Sequence, residues 1–203
     1  MNFVPLLPLF PLEIVLFPGA PLPLHIFEPR YKEMIGECMA QDRPFGMVRA
    51  KENALSAIGC SASIVTVIKK YDDGRLDIAA EGEQRFEIRT LNQERSFLQA
   101  EVEYFEDEPS TVGKSAADAV IELHEKLFSI LGQAAEIEQD AASLSFHLAH
   151  ALPVDLDFKQ ALLEMKSEAE RIETLTEYYR ATIPKVEMGL RARQRASGNG
   201  HVH

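Results

Sequence analysis

Seven of the 11 prolines lie between Pro5 and Pro29, and this spacing constrains the opening of the chain more than any other feature. Proline holds φ near about −65° and has no backbone N–H to give to a sheet ladder. The apolar runs Val4–Leu9 and Ile14–Phe17 are therefore expected as strand ends or edge strands rather than long central strands. Pro18-Gly19 marks a turn, and Leu22–Phe27 is a further extended run.

Pro29 fits the first turn of a helix, where a missing N–H costs nothing. Tyr31, Met34, Ile35, Cys38 and Met39 then recur at helical spacing, so Pro29–Gln41 reads as an amphipathic helix. Phe45–Ala50 reads as a strand and Asn53–Ile58 as a loop. Cys60–Tyr71 is rich in β-branched residues, Asp72-Asp73-Gly74 is a turn, and Arg75–Ala80 returns as the second arm of a hairpin. Phe86–Leu91 and Phe97–Phe105 follow as strands. The latter alternates apolar Leu98, Ala100, Val102 and Tyr104 with polar neighbours, as a half-wet strand does. Short strands separated by turns suggest a small barrel-like sheet.

The pattern changes across Glu106–Gly113. Beyond it Val120, Leu123, Leu127 and Leu131 mark a helix stopped by Gly132. Leu144, Leu148 and Leu152 mark a second helix over Asp140–Leu152, ended by Pro153. Asp155 and Ser167 are N-cap residues for a third helix and a long last one. Pro184 is expected to kink or end that last helix. The expected organisation is a β domain over residues 1–108, a helical domain over 114–195 and a disordered tail over 196–203.

Formal net charge is −11, and residues 101–170 carry 16 acidic against 4 basic side chains. Those charges interleave with apolar residues, as on a solvated helical face. An acidic chain repels polyphosphate, which disfavours nucleic acid as a partner. The two cysteines give no disulfide framework and no zinc spacing. Prolines break the apolar opening and no basic stretch precedes it, so it does not read as a signal peptide. No run approaches the ~20 apolar residues of a membrane span. A soluble cytoplasmic protein is expected, with no membrane partner.

Catalytic signatures are missing: no phosphate-cradling Gly-rich loop with Gly-Lys-Ser/Thr, no nucleophile elbow, no zincin helix, no dinucleotide fingerprint. His147 and His150 sit three apart on one helix, with His124 on the helix before, but no third ligand is evident, and helix-surface or partly buried histidines are the better reading. Cys38 lies on an apolar helix face and reads as a small hydrophobe. Asp72, Asp73 and Asp77 lack calcium-loop spacing. No cofactor and no metal are expected, and the chain is not expected to be an enzyme.

The ordered set Leu6-Leu7-Pro8-Leu9-Phe10-Pro11-Leu12, Val15-Leu16-Phe17-Pro18-Gly19 and Leu24-His25-Ile26-Phe27-Glu28-Pro29-Arg30-Tyr31 resembles the LON substrate-binding domain, the N-terminal domain of ATP-dependent Lon proteases. It is most similar to bacterial proteins in which that domain stands alone. Ala80-Glu81-Gly82, Arg85-Phe86-Glu87-Ile88 and Ala151-Leu152-Pro153 extend the resemblance over roughly residues 3–185. It implies an α+β fold: a PUA-like β pseudo-barrel with one embedded helix, followed by a C-terminal helical bundle. It also implies binding of unfolded or client protein segments, with a protease system as a further partner. The ATPase and protease parts of Lon have no counterpart here, nor has the zinc-binding domain that accompanies this fold in eukaryotic ligase adaptors.

The motif-based binding candidates are His25, Phe27, Arg30, Tyr31, Arg85 and Phe86. Each also has an architectural reading, as a lock on the strand–helix junction or a partner for loop carbonyls. Two alternatives remain open at this stage. One is RNA binding through Lys69, Lys70, Arg75, Arg85 and Arg89, since PUA-like folds include RNA readers. The other is a small molecule held in a cleft between β domain and helices.

Overall fold

The computed structural model describes residues 6–52, 54–135, 137 and 143–198, with side chains to residue 193. Strands β1 (Leu7–Leu12) and β2 (Pro21–Ile26) lead into helix α1 (Pro29–Gln41). Then come β3 (Phe45–Lys51), β4 (Ala54–Leu55), β5 (Ile58–Lys70), β6 (Leu76–Asn92) and β7 (Gln99–Tyr104). Four more helices follow: α2 (Lys114–Ile130), α3 (Leu144–Ala151), α4 (Leu156–Glu164) and α5 (Glu168–Gly198). The architecture is mixed α+β with a C-terminal helical region.

The sheet runs β1-β7-β6-β5-β3, and β3 returns to β1 by parallel pairing, which closes a ring. The prolines of β1 fit because the strand changes partner along its length. Leu7 and Pro8 register with β7, whereas Leu9–Leu12 register with β3, so neither Pro8 nor Pro11 stands between two ladder partners. The expected edge character is thus present inside a closed sheet.

β6 corrects the sequence reading. The sequence pattern predicts two strands, Arg75–Ala80 and Phe86–Leu91, and they are one strand that runs through Gly82. A Cβ on Gly82 would lie 2.2 Å from the Phe17 carbonyl oxygen. Gly82 N–H donates to the Ala20 carbonyl at 3.0 Å, and its own carbonyl accepts from Gly19 N–H at 2.8 Å. The missing side chain lets the loop after β1 cross the strand without interrupting it.

Three smaller differences concern boundaries. The expected loop after β3 contains the short strand β4, and residue 53 lies outside the described residues. The second helix begins at Leu144, and residues 140–142 of its expected span lie outside the described residues. α5 continues past Pro184 to Gly198 and so includes the first residues of the expected tail; residues 199–203 lie outside the described residues. Ile172, Leu175, Tyr179 and Ile183 are buried, and this packing holds the helix together across the hydrogen bond that Pro184 cannot make.

The caps follow the sequence. Asp155 accepts from Phe158 N–H at 2.8 Å, Ser167 accepts from Glu170 N–H at 3.4 Å, and Gly132 takes φ +72° behind α2. On α1, Tyr31, Met34, Ile35 and Cys38 are buried while Met39 emerges at the surface. Each fully buried large apolar side chain contributes ~1.5–3 kcal/mol. Barrel residues such as Phe17, Ile35 and Ile78 belong to the same apolar cluster as Val120, Leu148, Leu162 and Tyr179 of the helices. A smaller cluster of Leu7, Leu9, Val48, Phe86 and Ala100 joins β1, β3, β6 and β7.

Candidate functional site

Two polar constellations stand out, one buried and one exposed. The buried one ties barrel to helices. Arg171, in the first turn of α5, is fully inaccessible, and Arg85 of β6 is 3% exposed. Both donate to Asp107, in the segment between β7 and α2. Arg171 also donates to Glu168 at 2.6 Å and to Ser145 Oγ at 2.7 Å, and Arg85 donates to the Leu163 carbonyl at 3.0 Å. Glu168 accepts further bonds from Ser143 Oγ and from the backbone and hydroxyl of Ser145. Both guanidiniums lie near the Phe146 ring, that of Arg171 4.1 Å and that of Arg85 5.3 Å from its centroid.

Burial by itself would raise the Asp107 carboxyl; the hydrogen bond and charge of Arg171, with those of Arg85, outweigh it and hold the group below the usual carboxylate range. Glu168 behaves alike, burial being outweighed by the Ser145 and Ser143 bonds and by Arg171. With its members paired to one another, the cluster has the character of a structural lock rather than a receptor for a charged ligand.

The exposed constellation lies on the ribbon that β2, β5 and β6 form beyond the ring. His25 and Asp77 are cross-strand partners, with Nδ1 2.5 Å from the carboxylate, and Tyr71 donates to the other carboxylate oxygen at 2.8 Å. Those two hydrogen bonds, His25 first, lower the Asp77 pKa. The His25 ring stacks on Phe27, which is 57% exposed, and Lys69 and Arg75 lie over the Tyr71 ring at 4.4 and 4.8 Å. On the outer half of β5, Val65 and Ile68 are each 63% exposed and Val67 is also exposed. The β5–β6 register slips twice here, between Ile64 and Thr66 and between Val67 and Lys69, and every residue from Val65 to Lys70 is exposed.

The six sequence candidates therefore separate. His25 and Phe27 are exposed on the ribbon. Arg30 is exposed, pairs with Glu28 at 2.8 Å and lies over the Tyr31 ring. Tyr31 is buried and stacks on Phe10 at 4.1 Å, and Phe86 fills the smaller apolar cluster, so neither offers a surface to a partner. Arg85 serves the lock. Sequence reasoning misses Val65, Val67 and Ile68; their signal is a β-branched run too uniform to alternate.

Of the basic residues behind the RNA reading, Lys69, Lys70 and Arg75 stay together at the end of the ribbon, and the two other arginines do not join them. Arg85 is buried, Arg75 pairs with Asp73, and Arg89 pairs with Glu87 and Glu103. A cavity of about 340 Å³ lies between the start of α2 and α5, lined by Val112, Ala116, Ile172, Thr176 and Arg180 among others. Its lining comes from the β7–α2 connection, α2 and α5 and includes no strand residue. Burial raises both thiols, that of Cys60 to about 12, which is opposite to the activation of a nucleophile. Among the described residues no group of His, Cys, Asp and Glu side chains could hold a metal ion, and no helix is long and apolar enough to cross a membrane.

Comparison with known proteins decides the relationship. Residues 6–180 match the family described as ATP-dependent protease La (LON) substrate-binding domain. The chain belongs to the LON substrate-binding domain family. Lon protease of Escherichia coli (strain K12) is 27% identical over 209 residues, which cover 95% of this chain and 26% of that protein. Lon protease of Cytophaga hutchinsonii is 26% identical, covering 92% of this chain and 25% of the relative. The chain thus spans about a quarter of the length of the Lon proteases it matches. The crystal structure of a Lon N-terminal domain protein from Xanthomonas campestris superposes with a TM-score of 0.70 at 26% identity, covering 86% of this chain and 99% of that one. The N-terminal domain of Mycobacterium avium complex Lon protease shares the fold at 17% identity, with a TM-score of 0.61. The matched region is the LON substrate-binding domain, and no ATPase or protease domain is matched.

Proposed function

We propose that this LON substrate-binding family member is a non-catalytic module that binds unfolded or client protein segments in the cytoplasm, with a protease system as a further partner. The reading rests on the extent of the family match: the part of Lon that corresponds to this chain is the part named for substrate binding. The exposed Phe27, Val65 and Ile68 side chains support it, since apolar groups left in water on a well-packed fold suit contact with another apolar chain. The polar lock and the high-pKa thiols give no nucleophile and no free acid–base pair.

The test is retention of an unfolded protein. Immobilised chain should retain reduced, carboxymethylated α-lactalbumin and release the native form. Equal retention of both, or retention no better than that by a charge-matched control protein, would sink the reading.

A further inference from the structure

The structure assigns the client-binding surface to the outer edge of β5: we infer that Ser63–Lys70 takes an extended polypeptide segment as an added strand, apolar along its length and acidic at the end that meets Lys69 and Lys70. This rests on the proposed client binding and gives it a place and a preferred chemistry.

Four observations carry the inference. Among the described residues β3 covers β5 only opposite Phe45–Met47, at residues 60–62, and from Ser63 onward the strand is paired on the β6 side alone. Half the N–H and C=O groups of such a strand face outward and can accept a new strand. The side chains beside that edge are Val65, Val67 and Ile68, all exposed, and eight residues span about 26 Å at ~3.3 Å each. Finally, the edge is charged asymmetrically. Lys69 and Lys70 stand at the turn end; Lys69 lies over the Tyr71 ring and registers against Asp77, whose carboxylate is already hydrogen-bonded by His25 and Tyr71, and among the described residues neither lysine lies within ion-pair distance of a carboxylate. At the barrel end Ser63 registers against Glu81 and donates to Glu83. A bound segment is therefore favoured with an acid toward the turn and disfavoured with acids throughout.

Lysines and bulges also guard edges against indiscriminate pairing. Here they select the occupant. Two bulges within four residues coil the strand, and a flexible segment can follow that coil. A second rigid barrel edge would lose register within a few residues.

The test uses the full chain and two labelled eight-residue peptides of alternating Val, Thr and Tyr, one ending in Glu-Glu and one in Lys-Lys. Fluorescence anisotropy should show the Glu-Glu peptide binding at least ten-fold tighter, with the preference shrinking at high salt. The double variant V65K/I68K changes only exposed side chains and should weaken Glu-Glu peptide binding at least ten-fold. K69E/K70E should reverse the preference. M188K, which alters a 68%-exposed residue of α5, should bind like the unmodified chain. If both double variants bind like the unmodified chain, the site is elsewhere and the inference falls while client binding stands. Retention of unfolded α-lactalbumin with no peptide binding also overturns the inference and leaves client binding standing. Failure to bind either probe removes both. Sedimentation showing a dimer that V65K/I68K abolishes would make the occupant a second copy and overturn the inference.

Discussion

Arg171 of α5 and Asp107 of the β7–α2 connection, 64 positions apart, meet through two hydrogen bonds, one of them 2.9 Å long, and this pair joins helices to barrel. Asp107 bridges two guanidiniums, because Arg85 donates to the same carboxylate, and Glu168 supplies the second negative charge through Arg171. Its replacement should be among the most damaging polar substitutions in the chain.

Asp107→Asn keeps the shape and removes the charge, leaving Arg85 and Arg171 buried side by side. Urea unfolding should show a loss of about 3 kcal/mol, in the range for breaking a buried ion pair from one side. Arg171→Met added to Asp107→Asn should cost less than the sum of the two single changes, since the groups act as one network. A loss below about 1 kcal/mol would mean that the network is dispensable.

The same lock sets the acid limit. The folded-state pKa values of Asp107 and Glu168 lie below their unfolded values. Each group therefore contributes stability that is complete above the ordinary carboxylate range, near about pH 4, and is lost as pH falls through the folded value. Stability measured from pH 5 downward should decline more steeply in the unmodified chain than in Asp107→Asn.

His124 adds a second, higher window. Burial, and then His147, depress its pKa to about 4, and its Nδ1 lies 2.7 Å from the Tyr179 hydroxyl. The unfolded chain takes up this proton near about pH 6.5 and the folded chain resists it. Stability is thus intact above about pH 6.5 and falls as pH drops toward about 4, by up to about 3 kcal/mol. NMR titration should place the His124 midpoint below pH 5. His124→Phe should flatten the profile between pH 6.5 and 4, while leaving the Tyr179 hydroxyl without its bond.

Two glycines should respond oppositely to alanine. Gly82→Ala would force a Cβ against the Phe17 carbonyl, a backbone atom that cannot swing away, and should cost about 3 kcal/mol or prevent folding. Gly36 lies mid-helix in α1 with no atom within 4 Å of an added Cβ. Gly36→Ala should raise stability by ~1 kcal/mol. Thermal unfolding of both variants checks the pair.

Local pattern explains what is legible in the sequence. Tyr31, Met34, Ile35 and Cys38 form one stripe because helical spacing is written in consecutive residues, and they are buried together. Asp72-Asp73-Gly74 marks the hairpin because a turn is a local matter of φ; Gly74 adopts φ +81°. The partner change along β1 is hidden, since a proline shows that a donor is missing and not which strand lies beside it. The lock is hidden for a related reason: Arg171 and Asp107 meet only through the fold. Its traces are Arg85, which reads as a partner for loop carbonyls and donates to that of Met165, and a basic residue in the first turn of a helix, where the dipole disfavours it, on the side of buried Ile172 and Leu175. The candidate surface is half legible. The opening motif names His25 and Phe27, but the exposure of Val65 and Ile68 depends on what packs over the outer half of β5, which the local sequence does not show.

Amide hydrogen exchange on the full chain, with and without reduced, carboxymethylated α-lactalbumin, locates the surface on which a client lies. Client-dependent protection is expected at outward-facing amides within Ser63–Lys70, and none along Val112–Ala119 or the α5 residues that line the cavity. Protection confined to the cavity, or to the Arg85–Asp107 junction, would contradict that placement.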